Sequence, residues 1–275
     1  MNIFLQYILP HYYINKLAKT LANCKIIFIK NFLINWFIKN YKINMLEAEE
    51  INPLNYKTYN DFFIRKLKDS ARNYPEDHSA IISPSDGIIT QYGSVTNNIL
   101  LTVKNTIINL NDLLLDQNTF ANGKFINIYL APHNYHRVHM PCNAVLEKMI
   151  YIPGKLFAVN PKTVYSMPNV FTKNERVVAI FDSDFGKIAM VLVGAMIVGS
   201  IVTSWHGEVN PVNKAITTWD YANNPVKLLK FAEMGLFQLG STVIVVFANN
   251  KINFDSQINF NQAIKVGEKI AEVFH

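Results

Sequence analysis

Three residues far apart in the chain carry the types needed to activate a hydroxyl. Ser241 lies in Leu239-Gly240-Ser241-Thr242, just ahead of the apolar run Val243-Ile244-Val245-Val246-Phe247. Asp86 lies in Ser83-Pro84-Ser85-Asp86-Gly87, and His139 closes Tyr135-His136-Arg137-Val138-His139. An acid, a base and a hydroxyl are the set by which a serine becomes a nucleophile. An electrophile is next to it: Gly240 has no Cβ, so the backbone can bend and bring the Ser241 Oγ against the Gly240 carbonyl carbon. A Gly-Ser step facing a strand is ordinary, however, and a single histidine is more often a hydrogen-bonded side chain than a catalyst.

His133, His136 and His139 recur every third residue, a spacing that raises zinc. On an extended segment, 133 and 139 face away from 136, and the Pro-bounded, β-branched surroundings disfavour a helix. No fourth ligand stands out, because Cys142 follows Pro141 and no Asp or Glu is near. No metal site is expected.

The elements that must position these residues fall into two textures. From Tyr12 to Tyr41 there is no Pro or Gly, and Phe28, Ile29, Phe32, Leu33, Trp36 and Phe37 recur at helical spacing. Lys30, Asn31, Asn35 and Lys39 are expected largely elsewhere on the wheel. The run Ile26 to Ile38 is shorter and more interrupted than the roughly 20 apolar residues a spanning helix needs. It suits a helix lying in a membrane interface, with Trp36 at the headgroups and Lys39 and Lys42 toward anionic lipid. Packing of the same stripe on its own protein or on a second copy is the alternative.

After Pro53 short apolar runs take over: Ile81-Ile82, Ile88 to Thr90, Phe125 to Leu130, Val177 to Phe181, Ile188 to Val193, Ile197 to Val202 and Val243 to Phe247. A short helix is expected over Leu110 to Leu114. Glu233-Met234-Gly235 and Val266-Gly267-Glu268-Lys269-Ile270 look like the Gly-centred turns of lipoyl- or biotinyl-carrier sandwiches, without an acceptor lysine at a hairpin tip. The expected class is α+β: a β-rich, sandwich- or barrel-like catalytic domain over 51–275, preceded by an amphipathic helical membrane-association region over 1–50.

Composition sets bounds on partner and compartment. Half of the 275 residues are hydrophobic and 17% are charged, too polar for a multi-span membrane protein. The net charge of +6 admits an anionic partner, nucleic acid or acidic lipid, or reflects a lysine-leaning genome. Cys24 and Cys142 suggest no disulfide framework, so a reducing compartment is expected. No Lys or Arg precedes Lys16 and no small-residue cleavage site follows an apolar core, so no secretory signal is expected and the protein is expected to stay in the cytoplasm.

The Leu239-Gly240-Ser241-Thr242 tetrad, taken with Tyr135-His136-Arg137-Val138-His139 and Ser83 to Gly87, resembles phosphatidylserine decarboxylases, pyruvoyl enzymes that cut themselves at such a Gly-Ser bond. The resemblance extends to Leu5 to Pro10, Phe62-Phe63-Ile64-Arg65, Tyr151 to Gly154, Asn174-Glu175-Arg176, Val193-Gly194-Ala195 and Glu233 to Thr242. It implies that Asp86, His139 and Ser241 act as a triad, His139 taking the Ser241 proton and Asp86 steadying the imidazolium. The acyl group moves from nitrogen to oxygen, the ester eliminates, and hydrolysis leaves a pyruvoyl group derived from Ser241. That group condenses with the substrate amine as carbon dioxide leaves, and His136 is the expected proton donor. The implied products of cleavage are fragments 1–240 and 241–275, held as a heterodimer that itself pairs into a homodimer. The partner becomes an anionic phospholipid membrane rather than nucleic acid, met peripherally at the cytoplasmic face of the inner membrane.

The chain departs from the family pattern in places. Asn134 stands where Asp is usual, and Lys230-Phe231-Ala232 replaces a Lys-Gly segment. Leu236 and Gln238 occupy positions that are commonly basic. Two other functions compete: a pyruvoyl enzyme for a soluble amino acid, against which the amphipathic amino-terminal region argues, and a non-catalytic lipid-binding β domain, against which the complete triad argues.

Overall fold

The run Val243 to Phe247 is apolar at every position because both faces of its strand are covered. In the computed structural model, which describes residues 6, 10–101, 107–116, 118–196, 200–211, 214–238, 241–248 and 251–274, Ser241–Phe247 is a central strand. It pairs antiparallel with Lys124–Leu130 on one side and Gly186–Gly194 on the other. Val243, Val245 and Phe247 feed one hydrophobic cluster, while Ile244 and Val246 feed another, the period-2 alternation of a strand buried on both sides. Arg176–Ser183 and Ala144–Ile152 continue the sheet beyond Gly186–Gly194, and Gly87–Thr96 continues it beyond Lys124–Leu130. The complete sheet has eleven strands.

A four-stranded sheet lies over one face. Its order is Gly207–Glu208, Ile201–Thr203, Glu233–Phe237, Arg137–His139. Val138, Ile201, Met234 and Phe237 of this sheet share a cluster with Val243 and Val245. By strand alternation Ser241 is on that same face, so the histidine-bearing sheet covers the face that carries the serine. Glu233-Met234-Gly235, expected as a turn, is strand. A Cβ at Gly235 would overlap the Val202 carbonyl oxygen, so here glycine permits close approach of two strands rather than a bend. A three-stranded sheet of Ala80–Ile82, Lys269–Val273 and Ile252–Phe254 completes the β structure.

The expected α+β arrangement, mostly sheet with a helical amino-terminal part, is present, and so is the short helix Leu110–Leu114. Helices α1 (His11–Ala22) and α2 (Ile27–Tyr41) are followed by α3 (Tyr59–Phe63), whose first turn is capped by the Thr58 hydroxyl accepting from the Asp61 N–H at 3.0 Å. Ile34 and Phe37 of α2 pack on Phe62 and Phe63 of α3, so the helical part runs past residue 50. The face of α2 differs from the expected one. Lys30 is buried, its Nζ donating to the carbonyls of Leu54 and Tyr56 at 2.7 and 2.8 Å, because a long aliphatic stem can cross apolar ground if its charge finds acceptors. Phe28, Phe32 and Trp36 stay exposed. Tyr13–Ala22 and α2 meet at 104°, and among the described residues no single helix is long and apolar enough to cross a membrane.

Candidate active site

Asp86 is held by its loop before it meets any histidine. The Ser83 N–H donates to the Glu268 carbonyl at 2.7 Å and the Gly267 N–H to the Ser83 carbonyl at 3.1 Å, which pins Ser83–Asp86 against the turn at 266–268. The Asp86 carboxylate then accepts from Arg72 Nη2 at 2.8 Å, from Arg72 Nε at 3.4 Å and from the Val266 N–H at 2.9 Å. Arg72 is shared with Glu47, at 2.8 Å.

His139 is bound to the same loop through its backbone, its N–H donating to the Pro84 carbonyl at 2.8 Å. Its ring makes two hydrogen bonds, neither to Asp86. Nδ1 lies 2.6 Å from the Phe231 carbonyl oxygen, which can only accept, so Nδ1 carries the proton. Nε2 is then the acceptor for the Tyr135 hydroxyl at 3.0 Å. Burial holds the His139 pKa below the ordinary value, with the Arg137 charge adding to that; the Phe231 hydrogen bond and the charges of Glu233 and Asp86 pull the other way. Asp86 therefore acts on His139 through its charge, and the Phe231 carbonyl fixes the tautomer.

Phe231 lies in the Lys230-Phe231-Ala232 segment, where the sequence resemblance implies Lys-Gly. Its φ of 67° is left-handed, a region glycine enters freely and phenylalanine enters at a cost. Its ring stacks on Tyr74 at 4.5 Å and leans on His139 at 4.9 Å. The aromatic contacts offset the backbone strain and leave the carbonyl aimed at Nδ1.

His136 is buried completely, its ring 4.2 Å from that of Phe63. Nδ1 donates to the Asn134 carbonyl at 2.8 Å, so Nε2 bears the lone pair, and it has no partner among the described residues. Desolvation, helped by the nearby charges of Arg65 and His133, pushes its pKa down to about 3 against the opposing Asn134 hydrogen bond. A neutral imidazole in this state can accept a hydrogen bond at Nε2; it has no proton to give from there. The Phe237 N–H donates to the His136 carbonyl at 3.0 Å. Four residues from Phe237 to Ser241 span at most about 14 Å of chain. His133 is exposed.

Ser241 opens its strand opposite Leu130 and Gly194. Its Oγ is buried and has no hydrogen-bond partner among the described residues. Gly240 lies outside the described residues, as do Leu239 and 197–199. The structure thus ties His139 to the loop that carries Asp86 and sets Ser241 on the face that the His139 sheet covers, with no hydrogen bond joining the three. Arg72 and the Phe231 carbonyl were not singled out by the sequence. Arg72 stands in no motif, and a backbone carbonyl carries no sequence signal.

The family model described as phosphatidylserine decarboxylase matches residues 59–272, and one described as PSD matches 1–42. Three curated relatives, each called phosphatidylserine decarboxylase proenzyme, align over almost the entire chain. A protein of Aliivibrio fischeri (strain MJ11) is 43% identical over 99% of this chain and 98% of its own. One from Haemophilus influenzae is 42% identical and one from Francisella tularensis subsp. holarctica 44%, each over 98% of this chain and 96% of the relative.

Proposed function

From the premise that this chain belongs to the phosphatidylserine decarboxylase family, we propose that it is a carboxy-lyase converting phosphatidylserine to phosphatidylethanolamine, with a pyruvoyl group made from Ser241 by cleavage after Gly240. The observation that carries the proposal is the Ser241 hydroxyl: buried, unpartnered among the described residues and placed at the head of a strand. Leaving a buried hydroxyl unsatisfied costs stability, and a group that is to be consumed gains nothing from a permanent partner. Ser200 Oγ and Thr242 Oγ1 are also buried without hydrogen-bond partners among the described residues, and a hydroxyl can donate to a carbonyl formed from Ser241. When present, a pyruvoyl ketone supplies an electron sink for an amine that is losing its carboxylate.

The chain's own residues do the rest. Ser241 Oγ attacks the Gly240 carbonyl carbon while His139 Nε2 takes its proton, exchanging the Tyr135 hydroxyl for the serine. Asp86 and Glu233 stabilise the resulting imidazolium by charge, and the Phe231 carbonyl holds the ring in place. After cleavage Ser241–Phe247 remains paired along its whole length with two strands, which keeps fragments 1–240 and 241–275 together. Once the headgroup is in place, His136 takes up a proton that the substrate ammonium sheds in becoming a free amine, and returns it to the substrate carbon after carbon dioxide leaves.

The reading extends to where the enzyme works. Ile27 is 71% exposed, Phe28 82% and Phe32 62%, an apolar face far larger than scattered surface residues account for. With Lys39 and Lys42 nearby it suits a peripheral anchor on the anionic, cytoplasmic leaflet. Flotation with phosphatidylglycerol vesicles tests this: Phe28→Glu with Phe32→Glu should release the protein without lowering its melting temperature, and undiminished flotation refutes it.

The proposal itself is tested by intact mass. Freshly purified protein should show a small fragment of roughly 4 kDa beginning at residue 241, lighter by one ammonia than the encoded peptide and missing from Ser241→Ala. An uncut, inactive wild-type chain would sink the reading.

A further inference from the structure

Three of the chain's four arginines have their charges answered. Arg72 binds Asp86 and Glu47, and Arg137 binds Glu233 at 2.7 Å. Arg176 donates to the carbonyls of Asp112, Leu113, Thr172 and Asn174. Arg65 is different. It is 6% exposed, its Nε is fully buried, and its guanidinium makes no hydrogen bond to any described residue. Its ring contact is with Phe62, whose centroid is 5.5 Å from Cζ, and the charges of Asp86 and Glu47 act on it without a hydrogen bond.

A guanidinium this buried, with its Nε–H unanswered, is expensive and persists only where something answers it. Arg65 lines a cleft of about 190 Å³ beneath the end of α2, together with Lys42, Arg72, Tyr135, Asp86 and Lys265. At roughly 30 Å³ per water the space holds about six waters, room for one phosphate group with part of its shell. Glu47 and Asp86 oppose the cleft's four cations, and both are already engaged by Arg72, with Lys265 3.4 Å from Glu47. The uncommitted positive charge is that of Arg65 and Lys42.

We propose that Arg65 and Lys42 form a subsite for the phosphodiester of the lipid headgroup, with the serine end of that headgroup directed toward the Tyr135–His139 segment. This rests on the function proposed above. The phosphodiester is the better occupant than the substrate carboxylate on chemical grounds. A carboxylate held by a guanidinium is stabilised before reaction and loses that stabilisation as its charge departs, which raises the barrier; the phosphodiester keeps its charge from start to finish. Position agrees, because Lys42 caps the helix whose exposed face carries Phe28, Phe32 and Trp36. An anion on Arg65 also cancels one of the charges that keep His136 neutral, so headgroup binding itself readies His136 to take up a proton.

The test uses mature protein with micelles of short-chain phosphatidylserine. Arg65→Met should raise KM on the order of tenfold or more with kcat little changed, the mark of binding shared by ground and transition states. Arg65→Lys should recover part of the loss. Glycerophosphoethanolamine should inhibit wild type competitively and Arg65→Met weakly. Cleavage at 240–241 should be complete in all three, and melting temperature should not fall in Arg65→Met, since an unanswered buried charge has been removed. An unchanged KM, or a lower melting temperature with activity lost in proportion, overturns the subsite and leaves Arg65 as structure. Inhibition by inorganic phosphate that depends on Arg65, with KM for the lipid unaffected, assigns the cleft to free phosphate and overturns the headgroup. If wild type binds glycerophosphoethanolamine through Arg65 by calorimetry yet decarboxylates nothing, the functional reading fails and the subsite stands.

Discussion

His136 makes a quantitative prediction because it is buried as a neutral ring. Its pKa falls from 6.5 in the free residue to about 3 in the folded chain. Between those values the unfolded chain binds a proton that the native chain refuses, so stability is fully present above pH 6.5 and is lost as pH falls toward 3. At pH 7.5 the effect of this group is under about 0.1 kcal/mol; at pH 5 it reaches about 2 kcal/mol. The second figure requires only that the folded value lie well below 5. His139 contributes with the same sign, since burial lowers it too. The comparison that isolates His136 is therefore between two single-chain proteins, Ser241→Ala and Ser241→Ala with His136→Gln, unfolded in urea at pH 7.5 and at pH 5. The chain with His136 should lose about 2 kcal/mol more than the chain without it. Equal losses would mean that the imidazole is not held neutral, and the account of it as an unprotonated ring in the resting site would fall.

Two further substitutions probe the scaffold around the site. Phe231→Gly relieves left-handed backbone strain of about 1–2 kcal/mol but forfeits the stacking on Tyr74 and His139; because half-burial and stacking together are worth about 2–3 kcal/mol, the melting temperature should fall slightly and self-cleavage should slow as the His139 ring loosens. Faster cleavage in the glycine variant would show that the phenylalanine hinders the site rather than supports it. Gly235→Ala drives a Cβ into the Val202 carbonyl oxygen, so it should cost about 1–3 kcal/mol by urea unfolding and lower the cleavage rate, and a neutral result would show that the two strands separate without penalty.

The sequence made the main sheet legible for a physical reason. Val177 to Phe181, Ile188 to Val193 and Val243 to Phe247 are continuous apolar runs because each is buried on both faces, and such a run has few other uses in a chain this size. The helix α2 was legible as a helix but not in its orientation. Phe28, Phe32 and Phe37 are equally apolar, yet the first two face outward and the third faces α3, and only tertiary packing decides between them. Glu233-Met234-Gly235 misled because a glycine placed for close strand approach has the same letter as one placed for a turn. The candidate site divides in the same way. Residue types with their own chemistry, Asp86, His139, His136 and Ser241, stood out, whereas the groups that hold them are largely carbonyls, those of Phe231, Asn134 and Pro84, which every residue possesses.

That division bears on how a chain with the proposed self-cleaving site would avoid cutting itself while it folds. Three reactive side chains in ready contact would act as soon as they met. Here each is engaged elsewhere or held apart: Asp86 by Arg72, the His139 lone pair by Tyr135, and Ser241 on a different sheet. Exchanging the Tyr135 hydroxyl for Ser241 costs one neutral hydrogen bond, about 0.5–1.5 kcal/mol, while separating Asp86 from Arg72 would break a buried ion pair at about 3–5 kcal/mol. The cheaper exchange is the one that the proposed cleavage requires, and it leaves Asp86 where it is, acting at a distance through its charge. On this reasoning Tyr135→Phe should speed cleavage of newly made protein by freeing the His139 lone pair, whereas slower cleavage would mean that the hydroxyl relays the proton and is needed for the step.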